Sequence, residues 1–168
     1  MTESIYPICL KNNKGEEISL GTYQGKVLMI VNIATRCGFT PQLRKLEKVY
    51  QKYKDKGFVV IGIPSDDFGG QNPENDEETV RTCQVNYGVS FPIFSKVSIK
   101  GKNKHPLYEY LTRKDKNGKF SFPVFWNYQK YLIDKQGKVR RVFLSILPPS
   151  SLIIDHSIQK LLLEQASS

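Results

Sequence analysis

Cys37 is the residue whose surroundings in the sequence point most directly to chemistry. It lies in VNIATRCGFTPQ, between an apolar run and the expected first turn of a helix. A cysteine reacts as its thiolate, and the unpaired N–H groups at a helix start stabilise that anion. Arg36 beside it adds positive potential. The alternative is that Cys37 is a small packed residue, as many free cysteines are.

Cys83 lies 46 residues after Cys37, which is too far for a Cys-x-x-Cys site. The two thiols could still meet if local unfolding brings their Cα atoms within about 7 Å. One thiolate would then attack a peroxide, and the other would convert the oxidised sulfur to a disulfide. Cys9 stands in a short apolar run, and we expect it to be packed, with no partner.

A thiol that cleaves a peroxide also needs neighbours that stabilise the departing oxygen without competing as nucleophiles. Neutral hydrogen-bond donors meet this need. Three candidates are the amide of Gln71, the indole N–H of Trp126 and the amide of Asn127. Each also has a structural interpretation, as a surface amide, a core aromatic and a turn asparagine. The residues alone leave both interpretations open.

The segments that must position these residues begin with a strand, a helix and a second strand. Residues 27–34 and 58–64 are apolar and β-branched, which predicts strands buried on both faces. Between them we expect Thr40 to cap a helix that begins at Pro41 and runs to about Lys56. This order predicts a right-handed parallel crossover.

Capping residues, prolines and glycines divide the rest of the chain into short elements. Asn75 with Glu78 resembles a capping box for a helix that carries Cys83 in its last turns. Two β-favouring runs around DKQG predict a hairpin. The predicted elements are an N-terminal hairpin from IYPICL and EEISL, helices at 76–85, 106–111 and 151–164, an extended segment at 90–94, a loop at 113–122, and strands at 128–133 and 138–143. Together they predict an α/β, thioredoxin-like fold: a central mixed sheet flanked by helices, with an N-terminal hairpin.

Composition limits the setting. The 168 residues, 39% of them hydrophobic, suit a single domain over residues 1–168. The longest apolar run is far shorter than the roughly 20 residues that span a bilayer, and no secretory signal is recognisable, so we expect a cytoplasmic protein with reduced cysteines. The net charge of +9 is scattered, which favours a solvated basic surface over nucleic-acid binding. His105 and His156 lie far apart, and we expect neither a metal site nor a cofactor.

Six segments follow one another along nearly the whole chain: KVLMIVNIATRCGFTPQ, KGFVVIGIP, FGGQNP, NYGVSFPIFSKV, HPLY and FWNYQKYLIDKQGKV. In this order they resemble the glutathione peroxidases of the Cys type. The resemblance implies that Cys37 is the peroxidatic residue, with Gln71, Trp126 and Asn127 holding and polarising its sulfur. Members with a cysteine on the helix after FGGQ use it to resolve the sulfenic acid, and Cys83 matches that position.

The resemblance therefore implies a thiol peroxidase that reduces hydrogen peroxide and organic or lipid hydroperoxides. Members with a second cysteine resemble thioredoxin-dependent enzymes, so we expect thioredoxin as reductant, with glutathione as the alternative. The stretch between HPLY and FWN is short, which is typical of monomeric members with an open site, and the basic surface could help the protein meet anionic phospholipid. Two other interpretations stay open: a peroxide sensor that oxidises a protein partner, and a basic binding module with incidental cysteines.

Two segments depart from the family pattern. PSDDF stands where many relatives have PCNQF, so Ser65 replaces a common third cysteine, and Asp66 and Asp67 replace neutral amides. Carboxylates close to Cys37 would disfavour its thiolate and slow the attack. Cysteine in place of selenocysteine also implies slower chemistry. SILPPSS, which contains Ser145, replaces a more polar loop, and the residues suggest no physical reason for it.

Overall fold

Six short strands form a hairpin and a mixed sheet in the computed structural model, which describes residues 3–166. The hairpin pairs its two strands antiparallel, and the spatial order of the larger sheet is β4-β3-β5-β6, with β3 parallel to β4 and antiparallel to β5. The α/β architecture with a mixed sheet and an N-terminal hairpin is confirmed, while residues 1–2 and 167–168 of the predicted domain lie outside the described residues. The strands are β1 (Cys9–Lys11), β2 (Glu17–Ser19), β3 (Val27–Ile33), β4 (Phe58–Pro64), β5 (Lys130–Ile133) and β6 (Val139–Phe143).

Strands β3 and β4 pair in the larger sheet, and every residue in them is buried, as their continuous apolar runs predict. The outer edge of β4 is covered by the segment predicted to be extended at 90–94, which forms isolated bridges rather than a strand. The N–H of Gly62 donates to the Pro92 carbonyl, and a Cβ at position 62 would lie 2.7 Å from the side chain of Ile93. Glycine at this position therefore lets the covering segment approach the strand.

Within residues 3–166, five α-helices flank the sheet, and the first of them begins later than predicted. Thr40 does not cap it, because the Thr40 hydroxyl donates to the Ala34 carbonyl and accepts from the N–H of Cys37 instead. Gln42 is therefore the first helical residue, and Pro41 is the flanking residue. The helices are α1 (Gln42–Tyr53), α2 (Asp76–Arg81), α3 (Pro106–Thr112), α4 (Lys114–Asn117) and α5 (Leu152–Leu163).

The helix predicted at 76–85 is regular only in its first half. Asn75 caps α2 as expected, since its side chain accepts the N–H of Glu78. The chain then widens into a π-helical turn, Thr82–Asn86, which contains Cys83. Turns of this kind are rare and occur often at functional sites.

Two further predictions are wrong. Residues 113–122 are not all loop, because α4 lies within them, held by the buried Asn117 side chain, which donates to the carbonyls of Tyr110 and Phe120. Cys9 is exposed rather than packed. Side chains alternate along β1, so that burial of Leu10 turns Cys9 outward.

The buried amine of Lys130 holds the SILPPSS segment through hydrogen bonds to its backbone. Lys130 has no solvent exposure, and its Nζ donates to the carbonyls of Ser145 and Leu147 at 3.1 and 2.7 Å. The amide of Gln42 also donates to the Ser145 carbonyl. Burial lowers the pKa of Lys130 to about 7, because the charged form loses its hydration.

This buried amine predicts a pH-dependent stability. A lysine of the unfolded chain has a pKa near 10.4, so above about pH 7 the unfolded chain binds more protons at this site than the folded chain. The free energy of unfolding should therefore rise from about pH 7 to about pH 8.5, by up to about 1.4 kcal/mol per pH unit, and Lys130→Met should remove this rise. Urea unfolding at several pH values measures both slopes.

The exposed Lys119 supplies the control. Lys119→Met should keep the wild-type slope, since no buried charge is removed. An equal slope in wild type and Lys130→Met would show that this amine does not carry the effect.

Candidate active site

Cys37 lies in the turn that follows β3, with only 8% of its surface exposed. Its Sγ accepts the backbone N–H of Phe39 at 3.3 Å, and its own N–H donates to the Thr40 hydroxyl at 2.9 Å. The donor that supports the sulfur therefore belongs to the turn and not to the first turn of α1, which begins at Gln42. The backbone of the turn therefore supplies the hydrogen-bond donor to this sulfur.

The Cys37 turn is tied to the loop that carries Gln71. The N–H of Arg36 donates to the Gln71 carbonyl at 2.9 Å, and the N–H of Thr35 donates to the buried side chain of Asn72 at 3.1 Å. Glu74 accepts from the Thr35 hydroxyl and forms an ion pair with Arg36 at 2.7 Å. Hydrogen bonds and an ion pair thus join the turn that carries Cys37 to the loop that carries Gln71, although the two are distant in the sequence.

The aspartates that depart from the family pattern serve backbone groups. Asp66 Oδ1 accepts the N–H of Asn72 at 2.9 Å, and Asp67 Oδ2 accepts the N–H of Ile99 at 2.6 Å. Ser65 is buried, and its hydroxyl accepts the N–H of Asp67. These side chains therefore order the loop before Gln71 through hydrogen bonds to backbone groups.

The three predicted neutral donors converge. The Asn127 amide donates to Gln71 Oε1 at 3.1 Å and to the Phe68 carbonyl at 3.4 Å. Gly69 has a φ of 69°, and a Cβ there would lie 3.3 Å from the Trp126 ring and 3.5 Å from Gln71. Both side chains thus pack against Gly69, where the left-handed backbone conformation and the close contacts favour a residue without a Cβ.

Two N–H donors at this site remain uncommitted. Within residues 3–166, neither Gln71 Nε2 nor Trp126 Nε1 donates to a protein group. Trp126 packs against the core cluster that contains Cys37. The Asn127 side-chain oxygen is buried and accepts no hydrogen bond from the described part of the chain. These uncommitted polar groups are available to a polar ligand.

Cys83 lies in the same core cluster as Cys37, and both are free thiols. Cys83 has no solvent exposure, and burial raises its pKa to about 12. It is therefore protonated near neutral pH. The sulfur of Cys37 accepts a backbone N–H and keeps a small exposed surface, so the two thiols differ in hydrogen bonding and in access.

Sequence reasoning missed several residues that build the site. Thr40 carried a signal, but its hydroxyl was predicted to cap a helix. Glu74 and Tyr128 carried none, because their partners Arg36 and Ala34 lie far away in the sequence. Within residues 3–166, no group of three or more His, Cys, Asp or Glu is arranged to hold a metal ion, and no helix is long and apolar enough to cross a membrane.

Comparison with known proteins relates this chain to one family. A family model described as glutathione peroxidase matches residues 5–112. The chain is 47% identical to glutathione peroxidase-like peroxiredoxin 2 of Saccharomyces cerevisiae, over 96% of this chain and 99% of the relative. It is 45% identical to the glutathione peroxidase homolog BsaA of Staphylococcus epidermidis, over 95% and 99% of the two chains.

Solved structures give the same relationship and the fold. The crystal structure of Trgpx in its apo form has a TM-score of 0.79 and 33% identity, over 99% of this chain and 100% of that one. A thioredoxin-family protein from Chlorobium tepidum, 17% identical over 96% of this chain and 97% of that one, has a TM-score of 0.64. The predicted thioredoxin-like fold is therefore confirmed.

The Glu74 contacts predict a second pH effect. Burial would raise the pKa of Glu74, but hydrogen bonds from Thr35 and Arg36 outweigh it and hold the pKa below its usual value. The stability from this carboxylate is therefore present above its unfolded pKa and lost as the pH falls through the lower folded value. Because Arg36 is largely exposed, Glu74→Gln should cost on the order of 1 kcal/mol at neutral pH, and less below about pH 4.

Urea unfolding of the wild type and of Glu74→Gln, from neutral pH to below about pH 4, measures the difference in the free energy of unfolding. Glu77→Gln is the matched control, because Glu77 is exposed and lies 3.7 Å from its partner Arg81. It should change stability by less than about 0.5 kcal/mol. A Glu74→Gln cost that is independent of pH would contradict the role of the carboxylate.

Proposed function

The chain belongs to the glutathione peroxidase family and is a thiol peroxidase, an oxidoreductase that acts on peroxides. From this premise we propose that Cys37 attacks the peroxide and that Cys83 resolves the oxidised product. The observation that carries the proposal is the environment of the Cys37 sulfur. Its sulfur accepts a backbone N–H in a turn tied to the Gln71 loop, in a cluster that also holds Cys83.

In the first step, the Cys37 thiolate attacks one oxygen of the peroxide, and the O–O bond breaks. A sulfur–oxygen bond forms, and the departing oxygen takes a proton and leaves as water or an alcohol. Cys37 is thereby oxidised to a sulfenic acid, and the peroxide is reduced. Hydrogen peroxide and organic hydroperoxides, including those of lipids, are the proposed substrates.

Gln71 and Trp126 are the proposed donors to the charge that moves in this step. Both are neutral, so they stabilise negative charge on sulfur or on the departing oxygen and offer no competing nucleophile. Asn127 occupies the oxygen of the Gln71 amide, which leaves the Nε2 end free to donate. Its proposed role is therefore to orient Gln71.

In the second step, Cys83 is the proposed resolving cysteine. Its sulfur attacks the sulfur of the Cys37 sulfenic acid, and the hydroxyl leaves with the Cys83 proton as water. A disulfide results. The raised pKa of Cys83 keeps it as a thiol that does not compete for peroxide. We propose that the π-helical turn opens locally to bring Cys83 to Cys37.

Thioredoxin is the proposed reductant. Its dithiol reduces the Cys37–Cys83 disulfide to two thiols and is itself oxidised to a disulfide, which restores the reduced enzyme. Relatives described as peroxiredoxins, at 47% and 43% identity, support a thiol-based cycle. Glutathione is the alternative reductant. A monomer that meets peroxidised lipid through its basic surface remains our expectation for its assembly and substrate access.

Trp126→Phe tests the proposed indole donor. The variant keeps an aromatic ring beside Gly69 but removes the N–H, so reaction of the reduced protein with hydrogen peroxide should slow on the order of 100-fold. Stopped-flow loss of thiols measures this rate, and circular dichroism checks the fold. Phe125→Leu, at the exposed neighbouring residue, is the control and should react at the wild-type rate. An unchanged rate in Trp126→Phe would remove the indole from the mechanism.

Cys83→Ser tests the resolving cysteine and the reductant together. The wild type should consume many equivalents of peroxide with thioredoxin, and markedly fewer with glutathione. Cys83→Ser should react once at the normal rate and then stop, because no disulfide forms. Cys9→Ser is the matched control, since Cys9 is an exposed thiol in the N-terminal hairpin, and it should cycle fully.

The possible results separate the candidate functions. Full cycling by Cys83→Ser with thioredoxin would exclude Cys83 as the resolver. A wild type that oxidises one equivalent and stops with both reductants would favour a sensor that passes oxidation to a protein partner.

A further inference from the structure

Tyr128 has an unusual backbone and directly follows Trp126 and Asn127. Its φ is 69°, and within residues 3–166 every other positive φ belongs to a glycine. A bulky residue adopts this conformation only where the surroundings enforce it. Here its N–H donates to the Asn32 carbonyl at 2.7 Å, and the Asn32 side chain donates to the Trp126 carbonyl at 3.1 Å.

The side chain of Tyr128 reaches the turn that carries Cys37. The ring is fully buried, and its hydroxyl donates to the Ala34 carbonyl at 2.6 Å. The same carbonyl accepts from the Thr40 hydroxyl at 2.8 Å, and that hydroxyl accepts the N–H of Cys37 at 2.9 Å. One carbonyl oxygen therefore links the phenol of Tyr128 to the backbone of Cys37.

Tyr128 also shares its buried surroundings with both thiols. Tyr128, Cys37 and Cys83 belong to one core cluster. Burial raises the pKa of Tyr128 strongly and outweighs the hydrogen bonds with Thr40 and Ala34, which lower it. The phenol therefore stays protonated, and as a hydrogen-bond donor it holds the Ala34 carbonyl throughout the range in which a cysteine peroxidase works.

Formation of the proposed disulfide requires the two sulfur atoms to leave their observed positions. Both cysteines are free thiols in the structure, whereas a disulfide joins the sulfur atoms in a defined geometry. A shift of the Cys37 turn works against the contact between Tyr128 and Ala34, which a phenylalanine at position 128 would lack.

We propose that Tyr128 is a positioning residue that holds the Cys37 turn in its peroxide-reactive conformation through the Ala34 carbonyl, and so slows disulfide formation relative to peroxide attack. This inference rests on the proposed roles of Cys37 and Cys83. It adds to those roles, because it proposes that one hydroxyl sets the rate of disulfide formation relative to the rate of peroxide attack. A slower second step leaves the sulfenic acid exposed for longer, so Tyr128 also sets how easily excess peroxide converts it to sulfinic acid.

Tyr128→Phe tests this directly, because it removes one oxygen and keeps the ring. Reduced protein is mixed with hydrogen peroxide, and quenched samples are analysed by mass spectrometry for thiol, disulfide and sulfinic acid. The ratio of the disulfide-formation rate to the attack rate should rise at least several-fold, and the sulfinic acid formed at high peroxide should fall. An unchanged or lower ratio overturns the proposal, even where the variant is less stable.

Two further variants make the result specific. Tyr131→Phe removes another buried hydroxyl, one that accepts from Gln129 in the core cluster on the other side of the sheet, and it should leave the ratio unchanged. Thr40→Val removes the second donor to the Ala34 carbonyl and should raise the ratio as Tyr128→Phe does. If Tyr128→Phe does not fold, an unchanged ratio in Thr40→Val overturns the proposal.

The wild type provides a separate test of the premise. If it forms sulfenic acid but no disulfide, the proposed role of Cys83 fails, and Tyr128 then has no second step to slow. If both steps occur in the wild type and the variants leave their ratio unchanged, only the role of Tyr128 fails.

Discussion

The buried carbonyl oxygen of Ala34 needs hydrogen-bond donors, and the residues that supply them also position the candidate site. Ala34 is buried directly after β3, where the sheet no longer supplies a partner, and a buried carbonyl without a donor is costly. The hydroxyls of Thr40 and Tyr128 both donate to it. Since Thr40 also accepts the N–H of Cys37, the end of a central strand determines where the Cys37 sulfur lies.

The Cys37 sulfur accepts a neutral backbone N–H, while the nearby loop carboxylates bind other groups. Asp66 and Asp67 accept backbone N–H groups, and Glu74 is paired with Arg36. These interactions fasten the loops together, and they leave two uncharged N–H groups uncommitted beside the core cluster of Cys37. A neutral, partly buried environment strengthens hydrogen bonds to a developing anion, which is the requirement of peroxide cleavage.

The parts of the fold that could be predicted are those with a strong local signal. Strand β4 has the predicted bounds, because its short run of apolar and β-branched residues is typical of a strand buried on both faces. The Asn75 cap was likewise local. The errors have a common cause in tertiary contacts: Thr40 bonds to a strand end instead of the helix, Asn117 organises a helix where composition favours a loop, and strand alternation turns Cys9 outward.

The residue types and their order determined by themselves the α/β fold, the family resemblance and the candidate chemical groups, because these follow from hydrophobic periodicity and from motifs within short segments. Only the tertiary structure decided that Gln71 and Asn127 share a hydrogen bond, that Cys83 is a buried thiol, and that Tyr128 reaches the Ala34 carbonyl. The physical reason is that these properties depend on burial and on partners that lie tens of residues away. Packing of the two faces of the sheet brings those partners together.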